Sequence, residues 1–483
     1  MTPVSHGKPC AGNPHARFDE GASAPEDPRR KALLHNRRNF LKVAGLVPFF
    51  GASGAAGIGA QPSGVDDAKV WCGKKHPLAG KKLPPWKPGE FQVHFIYTGV
   101  AESMFWILPD GTTMLLDCGD HAAWTRGKKA VWILPNGKKN AGEWIARYVT
   151  RVNPAKTAVD YMMLSHHHSD HGGGEHWGAG TREWNGQQIC VSGFVQAADT
   201  LKFDTAFDRG WPDFNDPIPD GRCDSNCYPL MRKVYSYLIE RDDLKMEKFR
   251  VGAVNQVSMR RNAADYPSFS ITNITGNGKI LCRDGKVRDL YAELHNAKHL
   301  NENGMSLGLL VQYGPFRFYS AGDFSDNPKL PNGSRRNIEA ELGRELDPVD
   351  VAKVNHHGHH SMPAELVAAL QARVWTACMW DQLHITADTL TRLTSRTAYP
   401  GKRLVAAGVF TPERRLEDDG KPFVRDIASE AFDAGHVVLN VAPGGARYTI
   451  AYVTADDESM KVTGAYDFTS RGSMHGPDAQ GGH

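Results

Sequence analysis

The sequence predicts a mixed α/β fold in which two β-sheets are covered by helices. Three observations point to it. Short apolar strands recur along the chain with helical stretches set between them, and three of those strands end in residues of metal-binding type. Near the end, Val437-Val438-Leu439-Asn440-Val441 and Tyr448-Thr449-Ile450-Ala451-Tyr452-Val453 flank Pro443-Gly444-Gly445, the pattern of a hairpin.

In chain order, strands are expected at Gln92–Tyr97, Phe105–Leu108, Thr113–Asp117, Tyr161–Leu164, Leu307–Tyr313, Phe316–Ser320, Val349–Val354 and Val374–Met379. Helices are expected at Ala141–Arg151, Ala364–Leu370 and Ala387–Leu393. Pro109-Asp110-Gly111 punctuates the second and third strands, and the apolar run Tyr161-Met162-Met163-Leu164 reads as a buried strand. About 420 residues follow residue 60, ample for one large core, with or without an insert.

The most informative segment follows that buried strand directly. His166, His167, His168, Ser169, Asp170 and His171 contain H-x-H-x-D-H, and Gly172, Gly173 and Gly174 come next. His166 and His168 lie two apart, so a short turn aims both imidazoles at one divalent ion, while Asp170 and His171 reach a second ion close by. The glycines permit close backbone approach where the strand ends and a helix begins. A solvated histidine-rich tract would have no reason to follow a hydrophobic strand or to find partners downstream. Partners exist: Phe316 to Asp323 reads as a strand ending in Gly-Asp, and Val351 to Gly358 as a strand ending in His356 and His357.

On these residues the chain resembles the metallo-β-lactamase superfamily, and within it the hydrolase-like domain of ComEC-type DNA-uptake competence proteins. That branch carries strand–Pro-Asp-Gly–strand, T-H-x-H-x-D-H-x-G-G, N-x-S-L before a hairpin ending in T-G-D, and K-V-x-H-H-G. Here those stretches read Ile107 to Asp117, Ser165 to Gly173, Asn303-Gly304-Met305-Ser306-Leu307, Ala321-Gly322-Asp323 and Lys353 to Gly358. The family's D-V-G-Q-G-D opening is replaced by Tyr97-Thr98-Gly99-Val100-Ala101-Glu102, and its late N-x-Y-G-H-P is reduced to Asp381-Gln382-Leu383-His384.

The resemblance implies an αββα sandwich over residues 91–454 holding two divalent ions. Zinc suits the mix of imidazole and carboxylate, and manganese or iron is an alternative. The implied ligands are His166, His168, Asp170, His171, a middle histidine, Asp323 as the bridge, and one of His356 and His357, with His357 preferred. The middle ligand is His295 or His299, the latter preferred because it lies nearer the Asn-x-Ser-Leu segment. Two ions bridged by Asp323 would lower the pKa of a shared water towards neutrality. Asp170 would orient the resulting nucleophile, and His356 or His384 would donate to the leaving group. Phosphoester or phosphodiester hydrolysis is expected. Hydrolysis of a lactone or β-lactam is the alternative, and a metal-binding protein without turnover is a third possibility from a different class.

The N-terminus addresses location. Arg37-Arg38-Asn39-Phe40-Leu41-Lys42 precedes a weakly apolar, glycine-rich stretch from Val43 to Ala60, which looks like a twin-arginine export signal. Its glycines leave too little hydrophobicity for a firm membrane span. A signal over 1–60, a linker over 61–90, and a periplasmic or secreted protein that engages the twin-arginine export machinery are therefore expected. Residues 1–60 hold eight Lys/Arg against four Asp/Glu, so their removal takes the formal net charge from +3 to −1. A near-neutral body gives no electrostatic case for avid nucleic-acid binding, which leaves a small-molecule or phosphoester substrate.

Cys223 and Cys227, spaced C-x3-C, could close a small disulfide in an oxidising compartment. Residues 182–292 interrupt the strand pattern and read as an insert, either a lid over the site or a decoration on the sandwich edge. Residues 455–483, rich in Gly, Ser and Asp towards the end, read as a disordered tail.

Overall fold

Alternation along the strands explains the layering. The computed structural model describes residues 73–120, 133–174, 180–325, 330, 332–333, 336–380, 384–408, 418, 420–433 and 435–474. Strands β1 (Phe91–Phe95), β2 (Ser103–Ile107) and β3 (Thr113–Cys118) form an antiparallel meander in which every residue is buried. Phe91, Val93, Phe95, Met104, Trp106, Met114 and Leu116 join one apolar cluster, whereas the intervening Phe105, Ile107 and Leu115 join another. Successive side chains of a strand point to opposite faces, so both faces of this sheet are covered.

Among the described residues the sheet has nine strands. Helix α1 (Ala141–Val152) crosses from β3 to β4 (Ala158–Met163), which pairs parallel to β3. The short helix α2 (Ser169–Gly172), the ribbon β5 (Thr181–Trp184) and β6 (Gln187–Cys190), and α3 (Phe194–Ala198) lead to β7 (Lys202–Asp208). Then α4 (Tyr228–Asp242) leads to β8 (Lys245–Lys248), and β7 and β8 continue the parallel half. Ile145 and Val149 of α1, Phe194 of α3, and Leu230, Val234 and Leu238 of α4 share the cluster with Phe105 and Leu115, so these helices cover that face. The start of α1 is fixed by Asn140, whose N–H donates to Glu143 Oε2 at 2.8 Å, half of a capping box.

The second sheet repeats the plan. Strands β9 (Phe269–Gly276), β10 (Lys279–Leu281), β11 (Val287–Asp289), β12 (Gly308–Tyr313) and β13 (Phe316–Ala321) are antiparallel. Beyond them, α5 (Ile338–Gly343), α6 (Ala364–Leu370) and α7 (Ala387–Leu393) alternate with the parallel strands β14 (Val351–Lys353), β15 (Val374–Ala377) and β16 (Leu404–Ala407). Between the sheets, Trp106 is fully buried with its ring 5.8 Å from Phe91 and 5.5 Å from Phe318. Its truncation to Ala would cost about 3–5 kcal/mol. Two sheets flanked by helices is the architecture the strand pattern predicts.

Three expectations need correction. Residues 182–292 are no insert: β7 and β8 extend the first sheet, and β9 and β10 join the second. Lysine and aspartate at the ends of β7 disguised a strand whose Thr205, Ala206 and Phe207 are buried. The tail from 455 contains β19 (Val462–Thr469), which pairs with β18 (Arg447–Thr454), itself paired with β17 (Gly435–Val441) in the terminal hairpin. Half of the linker is also tied down, since Gly73 and Lys82 bridge to Ala465 and Lys461 beside this edge. The expected signal at 1–60 lies outside the described residues, as do 475–483.

The helix-covered face carries two buried imidazoles that have no counter-ion among the described residues. His94 contacts Tyr148 Oη at 3.0 Å and Gln92 Oε1 at 3.1 Å, and His436 Nδ1 accepts the Tyr97 N–H at 3.0 Å. Burial pushes both down to about 3, with His436 adding to the effect at His94. Their folded values lie below the ordinary 6.5, so their contribution is fully present above 6.5 and is lost as pH falls through the window between 6.5 and 3. Each imidazole should remove up to about 1.4 kcal/mol per pH unit within that window. Urea unfolding at pH 7.5 and 5.0 should show a smaller acid-induced loss for His94→Gln than for the unmodified protein; equal losses would contradict the assignment.

Candidate metal centre

The parallel strands of both sheets deliver their C-terminal ends to one place. After β4 the chain turns through Ser165–His168 into α2; after β13 comes Asp323; after β14 come Asn355–Gly358. Ligands gather at such strand ends in open α/β sheets because the connecting loops converge there. His171, Asp323, His357 and Glu102 are all buried, with one ligand atom of each within 4.8 Å of the others. His171 Nε2 lies 2.9 Å from Asp323 Oδ2 and 3.6 Å from Asp170 Oδ2. His357 Nε2 lies 3.1 Å from Asp323 Oδ2 and 3.2 Å from Asp170 Oδ2.

The distal nitrogen of each imidazole reveals what the proximal one is for. A carbonyl oxygen only accepts, so His357 Nδ1, 2.9 Å from Cys378 O, carries a proton, and Nε2 faces two carboxylates with the Trp380 indole N–H 3.4 Å away. His168 Nε2 donates to Asp224 O at 2.6 Å, which leaves its Nδ1 unprotonated, 3.2 Å from His166 Nε2. Ser165 Oγ donates to Asp117 Oδ2 at 2.7 Å and so accepts from His166 Nδ1 at 3.1 Å, again leaving Nε2 as the lone pair. His171 Nδ1 donates to Asp117 Oδ2 at 2.7 Å. Four imidazoles thus turn one ring nitrogen inward. Ring nitrogens facing one another and carboxylates require a cation between them.

The charges agree. Burial and the neighbouring His171 and His168 hold His166 well below 6.5, the neutral form that ligates. Burial opposes charge on His171 and His357, yet the Asp323 carboxylate, with Asp170, raises both well above 6.5. Burial likewise opposes the charged form of Asp323, but His171 and His357 hold it well below the usual carboxylate range. Without a metal, a proton must stand between each imidazole and its carboxylate. Asp323 Oδ1 is also buried with no hydrogen-bond partner. A second lone-pair oxygen left bare beside an occupied one fits a metal-binding carboxylate, so the donor set fits a divalent metal.

Close backbone contact builds the turn. Glu102 N donates to Asp170 O at 2.8 Å, and Asp120 N to Ser169 O at 3.1 Å. A Cβ at Gly119 would sit 1.8 Å from the Asp170 carbonyl oxygen, so only glycine fits there. His356 and His357 adopt left-handed φ of 46° and 50°, strained for residues with a side chain. Asn355 anchors them, donating to Glu339 Oε1 at 2.8 Å.

Behind the turn lies a wholly buried ionic network. His167 contacts Asp208 at 2.8 Å and Asp220 at 2.9 Å, and Arg209 bridges Asp220 at 2.7 Å and Glu302 at 2.6 Å. Burial opposes its charge, but Asp208 pushes His167 up to about 10. His167, Asp220 and Glu302 lie close enough to hold an ion, yet the Arg209 guanidinium already fills their carboxylates. This network is a platform that fixes the turn from behind.

Several sequence expectations meet the geometry directly. His166, His168, Asp170, His171, Asp323 and His357 come together. Of the histidine pair, His357 enters the cluster, while His356 is half-buried and donates from Nδ1 to His359 O at 2.6 Å. His384 is buried, its ring stacked on His357 at 4.7 Å and 19°. His299, the preferred middle ligand, is exposed, and His295 pairs with Asp289 at 3.0 Å. No hydrogen bond or ion pair among the described residues joins either to the cluster. The short turn Ala292–Leu294 after β11 carries that histidine loop along the surface. Cys223 and Cys227 are free, buried thiols rather than a disulfide.

Three supporting residues escaped the sequence reading. Asp117 accepts from Ser165 N, Ser165 Oγ and His171 Nδ1, each at 2.7 Å. Glu102 sits 3.2 Å from His357 Nδ1 and 3.0 Å from Lys353 Nζ, and Lys353 donates to Ala321 O at 2.8 Å. The usable signal was the pair of acids beside the apolar strand ends, Glu102 before Ser103-Met104-Phe105 and Asp117 after Leu115-Leu116.

No family model matches the chain, and no curated protein matches it. Among solved structures it is similar to Tm1679, described as a metal-dependent hydrolase of the β-lactamase superfamily, at 11% identity and a TM-score of 0.33, over 66% of this chain and 96% of that one.

Asp117→Asn replaces an acceptor with a group that cannot take all three hydrogen bonds. Metal affinity, measured by competition with a chromogenic chelator, should fall about 10–100-fold with the fold retained. Unchanged affinity would show that His171 is oriented by something else.

Proposed function

We propose that this protein is a two-metal hydrolase that cleaves phosphoester or phosphodiester bonds. One observation carries the proposal: His166, His168, His171 and His357 each turn one ring nitrogen inward because the other is tied to an acceptor or to Ser165, so a cation must lie between these nitrogens and the carboxylates they face. In this assignment His166 and His168 would hold one ion, Asp170, His171 and His357 the other, and Asp323 would contribute to both. Divalent ions there would supply Lewis acidity, lowering the pKa of a water and polarising the scissile bond.

The chain's own groups do the remainder. Asp170, partly open to solvent with its side chain 14% exposed, orients the attacking water from its accessible side. Trp380 N–H donates to His384 Nδ1 at 3.4 Å, which puts the proton of a neutral His384 on Nε2, the nitrogen this proposal assigns to the leaving oxygen. His356, its Nδ1–H committed to His359 O and its pKa pushed down to about 4 by burial, is neutral and presents Nε2 as an acceptor. No helix among the described residues is long and apolar enough to cross a membrane. Twin-arginine export through Arg37-Arg38 is part of the same proposal, since that route carries proteins already folded and metal-loaded.

The test uses purified protein stripped of metal, then restored with Zn2+ or Mn2+, and assayed on bis-nitrophenyl phosphate, a lactone and a chromogenic cephalosporin. Turnover of the phosphodiester alone is expected, restored by metal and reduced more than about 100-fold in Asp170→Asn. Turnover of the lactone or cephalosporin alone would move the chemistry to carboxyl derivatives. Metal uptake with no turnover of any substrate would make the protein a metal binder.

A further inference from the structure

The two histidines of the first ion position, together with Asp323, give it three protein ligands, one fewer than Asp170, His171, His357 and Asp323 give the second. We propose that Asn303 supplies the missing donor through its side-chain oxygen, so that this position is built of two imidazole nitrogens and two oxygens. This rests on the two-metal assignment above and names the residue that completes one half of it.

The placement is set by contacts on both sides of the short turn Glu302–Met305. Towards the histidines, Glu302 Oε1 accepts the His167 N–H at 2.8 Å, and Leu307 N donates to Ser165 O at 2.9 Å. Towards the bridging carboxylate, Ser306 Oγ accepts the Asp323 N–H at 2.8 Å, and Gly322 N donates to Leu307 O at 3.0 Å. The turn is therefore wedged between the segment carrying His166 and His168 and the segment carrying Asp323. Asn303 is 6% exposed. Its Nδ2 donates to Ser325 Oγ at 3.0 Å, and its backbone N–H to Asn301 Oδ1 at 2.8 Å, which pins the amide.

What remains is Asn303 Oδ1, buried with no hydrogen-bond partner. An acceptor sealed from water without a partner is costly, and most native structures avoid it. Asp323 Oδ1 is bare in the same way. Two orphaned oxygens, carried by loops that the Asn303–Ser325 hydrogen bond ties together and that adjoin the segment holding His166 Nε2 and His168 Nδ1 3.2 Å apart, would be satisfied together by one cation. A neutral amide oxygen is a weaker and harder donor than imidazole. The first position should accordingly bind less tightly than the second and favour Mn2+ relative to a three-histidine site.

Isothermal titration of metal-free full-length protein with Mn2+ alone, and separately with Zn2+ alone, tests this without recourse to activity. The unmodified protein should take up two equivalents. Asn303→Ala should keep one tight equivalent, which also shows that it folds, and should bind the other at least about 10-fold more weakly. Asn303→Asp should tighten that equivalent, and Asn303→His should shift its preference from Mn2+ towards Zn2+. His299→Ala should leave both equivalents unchanged. Two undiminished equivalents in Asn303→Ala, or loss of one in His299→Ala, would overturn the role of Asn303 while leaving a two-metal centre. Fewer than two equivalents in the unmodified protein would overturn the two-metal assignment itself.

Discussion

A carboxylate sealed from water needs a cation beside it, and the centre of this protein is organised around meeting that need at Asp323. Its Oδ2 faces His171 and His357 at about 3 Å, while Oδ1 is buried and bare. The imidazoles cannot satisfy it as neutral donors, because Asp117 and Cys378 O already hold their Nδ1 protons. Either both rings carry an extra proton or metal replaces it. Everything around the cluster narrows the choice towards metal by fixing which nitrogen of each ring is a lone pair.

The fold supplies the rigidity that this arrangement demands. Three parallel strand ends, from β4, β13 and β14, bring the ligands together, and each loop is braced by further buried groups. Arg209, His167, Asp208, Asp220 and Glu302 brace the histidine turn from behind; Lys353 and Glu102 brace His357; Asn355 and Glu339 hold the left-handed turn at His356 and His357. Burying so many ionic groups is expensive unless all are paired, so the network trades stability for a single geometry.

How much of this was legible in the sequence follows from range. His166, His168, Asp170 and His171 are neighbours in the chain, and Asp323 and His357 terminate strands, so residue type and strand pattern sufficed to find them. Asp117 and Glu102 act across 48 and 255 residues on Ser165 and His357, and nothing local announces that. His299 was favoured by residue type and chain proximity, yet the loop that carries it stays at the surface, while an asparagine in the next turn is buried beside the site. Likewise β7 and β19 were hidden by lysine, aspartate, glycine and threonine at positions where only alternate residues need be apolar. The sandwich itself was legible because its strands are buried on both faces and so read as continuous apolar runs.

The central claim is that two ions share Asp323. Crystals grown from protein loaded with Zn2+ and measured on both sides of the zinc absorption edge would test it most directly. Two anomalous peaks about 3.5–4 Å apart, one beside His166 and His168 and the other beside His171 and His357, with Asp323 between them, are expected. A single peak remote from Asp323, or none, with His171 and His357 still paired to its carboxylate, would show that protons rather than metals hold this centre together.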